Sequence, residues 1–242
     1  MLFAPPDDSV GATPAPSPPP VLRPGGNGLD DLPSATRKDI HIGRRLVHMA
    51  NGVAIAAAYA LFFEHQQVIH IFGVIACLVY ILDRVRIHYP EVIRRVPTVN
   101  HALFRAEEQV KESAMTPYAI SILLTLITFP KTISVIAILT LAIADPLSAI
   151  VGIRWGRRRI VPEKSVEGSS AFFAVTFAIA LGVLYVATAA AVSTIVMISL
   201  VLAAAAATIE MLPLRIDDNL TIPLAVGFVG WIVCALFGVT VL

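Results

Sequence analysis

From about residue 45 onward the chain alternates long apolar stretches with short polar ones. Seven stretches approach the roughly 17–25 residues that a helix needs to cross a bilayer. They lie at about 45–63, 67–82, 115–130, 132–152, 169–188, 190–209 and 221–241. The second and third are short, as in tilted or partly interfacial helices. Thr36-Arg-Lys-Asp39 has capping-box spacing, so the first helix is expected to begin near Arg37, ahead of the membrane. Pro90 and Pro97 interrupt the 83–114 connection, and 98–113 reads as a short amphipathic helix at the interface. The pattern predicts an all-α fold: a polytopic membrane helical bundle of about seven transmembrane helices, occupying residues 37–242.

Composition agrees. Of the 242 residues 57% are hydrophobic and only 14% charged, with mean hydropathy +0.78, far from the charge content of a soluble domain. Residues 1–36 differ, holding nine of the 17 prolines and no apolar run. They read as a disordered, Pro-rich tail rather than a signal peptide or a domain. Cys77 and Cys234 both fall in apolar segments and read as small hydrophobes, not as a disulfide or zinc framework. Nothing in a net charge of +1 argues for a nucleic-acid partner.

The distribution of charge sets an orientation. With seven spans, the tail and the loops 83–114, 153–168 and 210–220 share one side, and that side carries every one of the 18 Lys and Arg except Lys131. By the positive-inside rule this side, the N-terminus included, is cytoplasmic. A cell membrane, or the endoplasmic reticulum in a eukaryote, is the expected location. His48, Asp145, the Lys164 loop, Glu210 and Asp217-Asp218-Asn219 gather on the same side. An enzyme using a soluble substrate has this arrangement, whereas a transporter carries polar groups near the midplane and an inverted repeat.

The densest chemistry runs from Asp145 to Ser169. Asp145 lies about seven residues, roughly 10 Å, inside its helix end, where an ionised carboxylate is expensive unless paired, wet or bound to a metal. Residues 145, 149, 152 and 156 share one helical face with Ser148 beside them. Small side chains at Ala149, Gly152 and Gly156 allow another backbone or a ligand to come close. Pro146 lacks an N–H and predicts a kink near Asp145. Beyond the helix, Lys164-Ser165-Val-Glu167-Gly168-Ser169 puts an ammonium beside free backbone N–H groups at a helix entry. That entry suits phosphate and also suits capping by Ser165 or Ser169. Arg157-Arg158-Arg159 reads as an anchor for anionic lipid. Further on, Glu210, Asp217 and Asp218 are candidates to hold magnesium, which prefers oxygen ligands; Asp218, Asn219 or Thr221 alternatively caps the last helix. His48, after Arg44-Arg45 in the first span, gains interest only from this company.

The Asp-x-x-Ala-x-x-Gly-x-x-x-Gly stretch, here Asp145, Ser148/Ala149, Gly152 and Gly156, followed by Lys164-Ser165-x-Glu167-Gly168-Ser169, resembles the CTP-binding region of the polyprenol kinase family. That family includes dolichol kinases, phytol kinases and CTP-dependent diacylglycerol kinases. Arg45-x-x-His48-x-x-x-Gly52 and Glu210 with Ile216-Asp217-Asp218-Asn219-Leu-Thr221-Ile-Pro223 agree, as does Arg105 with Glu107 or Glu108. The resemblance covers roughly residues 40–242. It implies transfer of the γ-phosphoryl of CTP to the hydroxyl of a membrane lipid alcohol with Mg2+, a reaction of positioning and charge neutralisation.

On that resemblance, Asp145, Glu210, Asp217 and Asp218 would serve as metal ligands or base, and Lys164 would hold phosphate. His48 would belong to the catalytic set. Ala149, Gly152, Gly156, Ser165, Glu167, Gly168 and Ser169 would shape the nucleotide pocket. One departure is Pro146, where the family commonly has a small residue. Two rival readings remain. A CTP:phosphatidate cytidylyltransferase has a similar nucleotide region, but its Pro-Gly-His-Gly-Gly block is missing from this sequence. The other rival is a non-enzymatic transporter or scaffold.

Overall fold

A computed structural model describes residues 34–89, 115–161, 164–213 and 216–241. Its helices are α1 (Ser34–Phe62), α2 (His65–His88), α3 (Met115–Thr128), α4 (Lys131–Leu139), α5 (Asp145–Trp155), α6 (Val166–Ala187), α7 (Val192–Met211) and α8 (Asp218–Leu236). A π-helical segment, Thr140–Ala144, joins α4 to α5 into one continuous rod. Two short strands, β1 (Arg159–Val161) and β2 (Lys164–Ser165), form an antiparallel hairpin between α5 and α6. That hairpin is the one departure from an all-helical fold among the described residues.

Five of these rods are long and apolar enough to cross a membrane: α2, α4 through α5, α6, α7 and α8. The apolar part of α1, Met49–Phe62, and α3 are shorter. All seven expected segments are helices at their expected places. Five of them, not seven, meet the length and apolarity of a span. The first helix starts at Ser34 rather than near Arg37. The tail through residue 33, the expected interfacial helix at 98–113 and the Arg105 region lie outside the described residues.

The α4–α5 rod is the axis of the bundle, with 56% of its apolar stretch buried against 22% for α2 and for α6. Thr132 to Ile138 are buried in succession. Ile133 and Ile136 face a core with Phe172, Leu184, Ile198 and Leu202. Val135 and Ile138 face a second core with Ala56, Tyr59, Ile122 and Leu126. Large apolar side chains such as Leu61, Val186, Trp231 and Leu236 point outward, which suits hydrocarbon as the surrounding solvent.

Two devices position the polar end. The first is the π segment. Asp145 N–H donates to the Thr140 carbonyl five residues back, and Pro146, with no N–H, cannot restore the regular ladder. The predicted distortion is therefore a widened turn that ends at Asp145, of the kind often found at functional sites. The second is a seam between α5 and α6. A Cβ on Gly168 would lie 2.8 Å from the Ser148 carbonyl, and one on Gly152 would lie 3.0 Å from Ser165 Oγ. Hydrogen at these positions is what lets the two helices meet.

Short turns fix which ends lie together. Residues 63–64 join α1 to α2, and 129–130 join α3 to α4. Lys131 donates to the Phe63 carbonyl at 2.9 Å, so both turns lie at one end. The start of α3, the end of α5, the β hairpin and the starts of α6 and α8 lie at the other.

Candidate active site

At this second end Lys164 leaves the edge of the β hairpin and reaches two helices distant in sequence. Its Nζ lies 2.9 Å from Glu210 Oε1, in the last turn of α7, and 3.0 Å from Asp218 Oδ2, in the first turn of α8. The hairpin aims it: Val161 pairs with Lys164, and the Val166 N–H donates to the Arg158 carbonyl at 2.9 Å. Glu210 is buried, and its second oxygen accepts from the Ser169 hydroxyl at 2.9 Å. A buried carboxylate persists because both oxygens are satisfied. Asp218 is more open and sits at the electropositive start of α8.

Asp145, partly buried where the π segment ends, lies within electrostatic range of Asp218, Lys164, Arg45 and Glu210. Asp145 thus lies in the field of two further carboxylates and two cations, supplied by other parts of the chain. Burial alone would lower the Lys164 pKa, but hydrogen bonds and charge from Glu210 and Asp218 outweigh it and hold the group above its ordinary 10.5. The ammonium is locked in its charged form.

Of the residues expected at the site, Lys164, Glu210, Asp218 and Ser169 are joined by ion pairs and a hydrogen bond, and Asp145 lies within electrostatic range of Lys164, Glu210 and Asp218. The other expected residues are employed differently. Ser165 is the N-cap of α6, its Oγ accepting from the Gly168 N–H at 3.1 Å. Gly152, Gly156 and Gly168 close around the side chain of that same Ser165, so the group they admit is the protein's own. Glu167 accepts from the Arg158 N–H at 3.4 Å and ties down the hairpin. Asp217 caps α8, accepting from the Asn219 N–H at 2.9 Å, a role the sequence offered to its neighbours Asp218, Asn219 or Thr221. Ala149 lies on α5, partly buried. His48 lies in α1, its side chain outside those described. Among the described residues no three His, Cys, Asp or Glu side chains converge as a ready metal cage.

Two features go beyond the sequence pattern. Arg45, a motif residue and loop charge in the sequence, lies within electrostatic range of Asp145. A second buried ionic group joins Arg86 Nη2 to Asp83 Oδ1 at 2.6 Å, with the Thr116 hydroxyl donating to Asp83 Oδ2 at 3.1 Å. An acidic residue three before an arginine in an otherwise apolar helix was the available signal for it.

Fold and site together define a multi-pass integral membrane protein whose polar groups concentrate at one end of an apolar bundle. No family model matches the chain, and no solved structure matches it. It is similar to Uncharacterized protein RP860 of Rickettsia prowazekii (strain Madrid E), 27% identical over 190 residues that cover 77% of this chain and 91% of that protein.

Proposed function

We propose that the protein is a membrane lipid kinase that transfers the γ-phosphoryl of CTP to the hydroxyl of a lipid alcohol: dolichol or another polyprenol, phytol, or diacylglycerol. The observation that carries this reading is the Lys164 ammonium, held between Glu210 and Asp218 at the rim of an apolar bundle, within electrostatic range of Asp145, which Arg45 also influences. Such a rim gives a water-soluble anion and a bilayer-bound alcohol a common meeting place. The choice of CTP rests on the motif resemblance.

In this reading Lys164 exchanges a carboxylate for triphosphate oxygens, and Arg45 adds a second positive charge. The lipid oxygen forms a bond to the γ-phosphorus as the bond from that phosphorus to the β–γ bridging oxygen breaks, and CDP leaves. Asp145, whose carboxylate accepts no hydrogen bond among the described residues, would take the hydroxyl proton. Magnesium is commonly held by one or two carboxylates plus substrate phosphates rather than by a closed protein cage. The oxygen donors Glu210 and Asp218, with Asp145 near them, fit that mode. Bound there, it would neutralise charge on the β- and γ-phosphates. Asp217, committed to its cap, is left out of that set.

The positive-inside rule puts this end in the cytoplasm, and counting α1 and α3 gives seven crossings in a cell membrane or endoplasmic reticulum. The test supplies membranes bearing the protein with CTP labelled at the α or the γ phosphate, plus a panel of lipid alcohols. Transfer of the γ label alone, dependent on magnesium, is expected. Transfer of the α label identifies a cytidylyltransferase instead, and transfer of neither identifies a transporter or scaffold.

A further inference from the structure

Away from the carboxylates, α1, α2 and α3 enclose a groove of about 340 Å³ lined only by apolar and aromatic side chains, among them Ala58, Tyr59, Ile71, Ile75, Tyr118 and Ala119. Its volume falls in the range of about 300–1,000 Å³ typical of ligand sites. Along α2 it runs from Val68 to Val79, about 16 Å at helical rise. Ile71 and Ile75 on its lip are exposed, so it opens sideways, toward the hydrocarbon rather than toward water.

Both ends of the groove are defined. At the far end Tyr59 bonds His65 through its hydroxyl, and Lys131 lies over the Tyr59 ring at 5.3 Å while holding the Phe63 carbonyl. At the other end Val79 and Met115 line it, and the buried Asp83–Arg86–Thr116 group follows within one turn. The floor borders the helix contact that carries Asp145. A Cβ on Gly52 would lie 3.2 Å from the Tyr118 hydroxyl and would collide with the Ala142 side chain. There α1 is pressed against the π segment, and Asp145 follows Ala142 by three residues. Groove and carboxylates therefore flank the same helix contact.

We infer that this groove holds the hydrocarbon tail of the acceptor lipid alcohol, which enters from the bilayer between α1 and α2 and directs its hydroxyl to the Lys164 end. The inference rests on the kinase reading for the fate of the hydroxyl, but the binding itself does not require transfer. Walls that are mostly aliphatic and aromatic grip a chain chiefly by burial. A sideways mouth suits a ligand that never leaves the membrane.

The experiment uses the full chain in phosphatidylcholine nanodiscs, photolabelled with a long-chain primary alcohol that carries a diazirine at mid-chain. Adducts are mapped by mass spectrometry. Labelling is expected on groove residues of α2 and α3, suppressed by excess unlabelled long-chain alcohol and not by added phosphatidylcholine. Ala58→Trp, which fills the groove, should abolish it, whereas Ala57→Trp, on the outward face of the same helix, should not. Ile71→Trp is a second filling variant at the exposed lip, away from the buried core. In the transfer assay the filling variants should raise KM for the lipid about tenfold while sparing kcat and KM for CTP. Adducts spread evenly over α6 and α7, or unaffected by both filling variants, overturn the inference. Intact γ transfer without groove labelling removes the groove alone. Groove labelling without γ transfer removes the kinase and leaves a lipid-alcohol site.

Discussion

Two lysines at opposite ends of the bundle show how differently the same ammonium can be used. Lys131, at the start of α4, donates to one backbone carbonyl and lies over the Tyr59 ring. It meets neutral partners and pins the α1–α2 turn to the central rod. Lys164 meets Glu210 and Asp218, each from another helix, with Asp145 and Arg45 nearby. The first is a clasp that is complete as built. The second has more acid than base around it, and that surplus is what a ligand cation would answer.

The sharpest way to break the contrast is to remove each amine. Lys164→Ala should lower γ-phosphoryl transfer on the order of 10²–10³-fold, the loss typical of one charge-stabilising donor. It should also destabilise the fold by about 3–5 kcal/mol, because Glu210 is left buried without its cation. Adding Glu210→Gln should restore much of the stability and none of the transfer, and chemical unfolding alongside the label assay separates the two. Next in size, Gly168→Ala forces a methyl against the Ser148 carbonyl and should cost about 1–3 kcal/mol, whereas Gly182→Ala, with open space at its Cβ, should cost nothing or stabilise.

Lys131→Met should cost about 1 kcal/mol, a hydrogen bond and a cation–π contact at a partly wet site, with transfer changed less than twofold. The smallest effect is in pH. The folded pKa of Lys164 lies above 10.5, so its stabilisation is complete below pH 10.5 and fades as pH rises through the folded value. Thermal unfolding of the wild type should therefore weaken more steeply above that pH than that of Lys164→Met.

Hydropathy alone marked the seven helices, because a bilayer demands long apolar runs and tolerates few alternatives. Pro146 marked the distortion at Asp145, since a missing N–H has a local consequence that neighbours cannot hide. The hairpin at 159–165 was invisible: three residues and two are too few for any periodicity to register. Spacing showed that Gly152 and Gly156 admit something close, but a glycine does not say what approaches it, and here Ser165 does. Carboxylates were easy to find and hard to sort. Asp217 and Asp218 are adjacent, yet one turns back to cap its helix and the other turns out to Lys164. That choice is made by helix geometry and by a partner 54 residues away.

The central claim, that the Lys164 end receives a magnesium triphosphate, is tested most directly by equilibrium binding of CTP to the purified chain with and without magnesium. Saturable binding that requires the metal and is lost in Lys164→Ala, but retained in Lys131→Met, is the predicted result. Binding that is absent, or that survives Lys164→Ala unchanged, contradicts it.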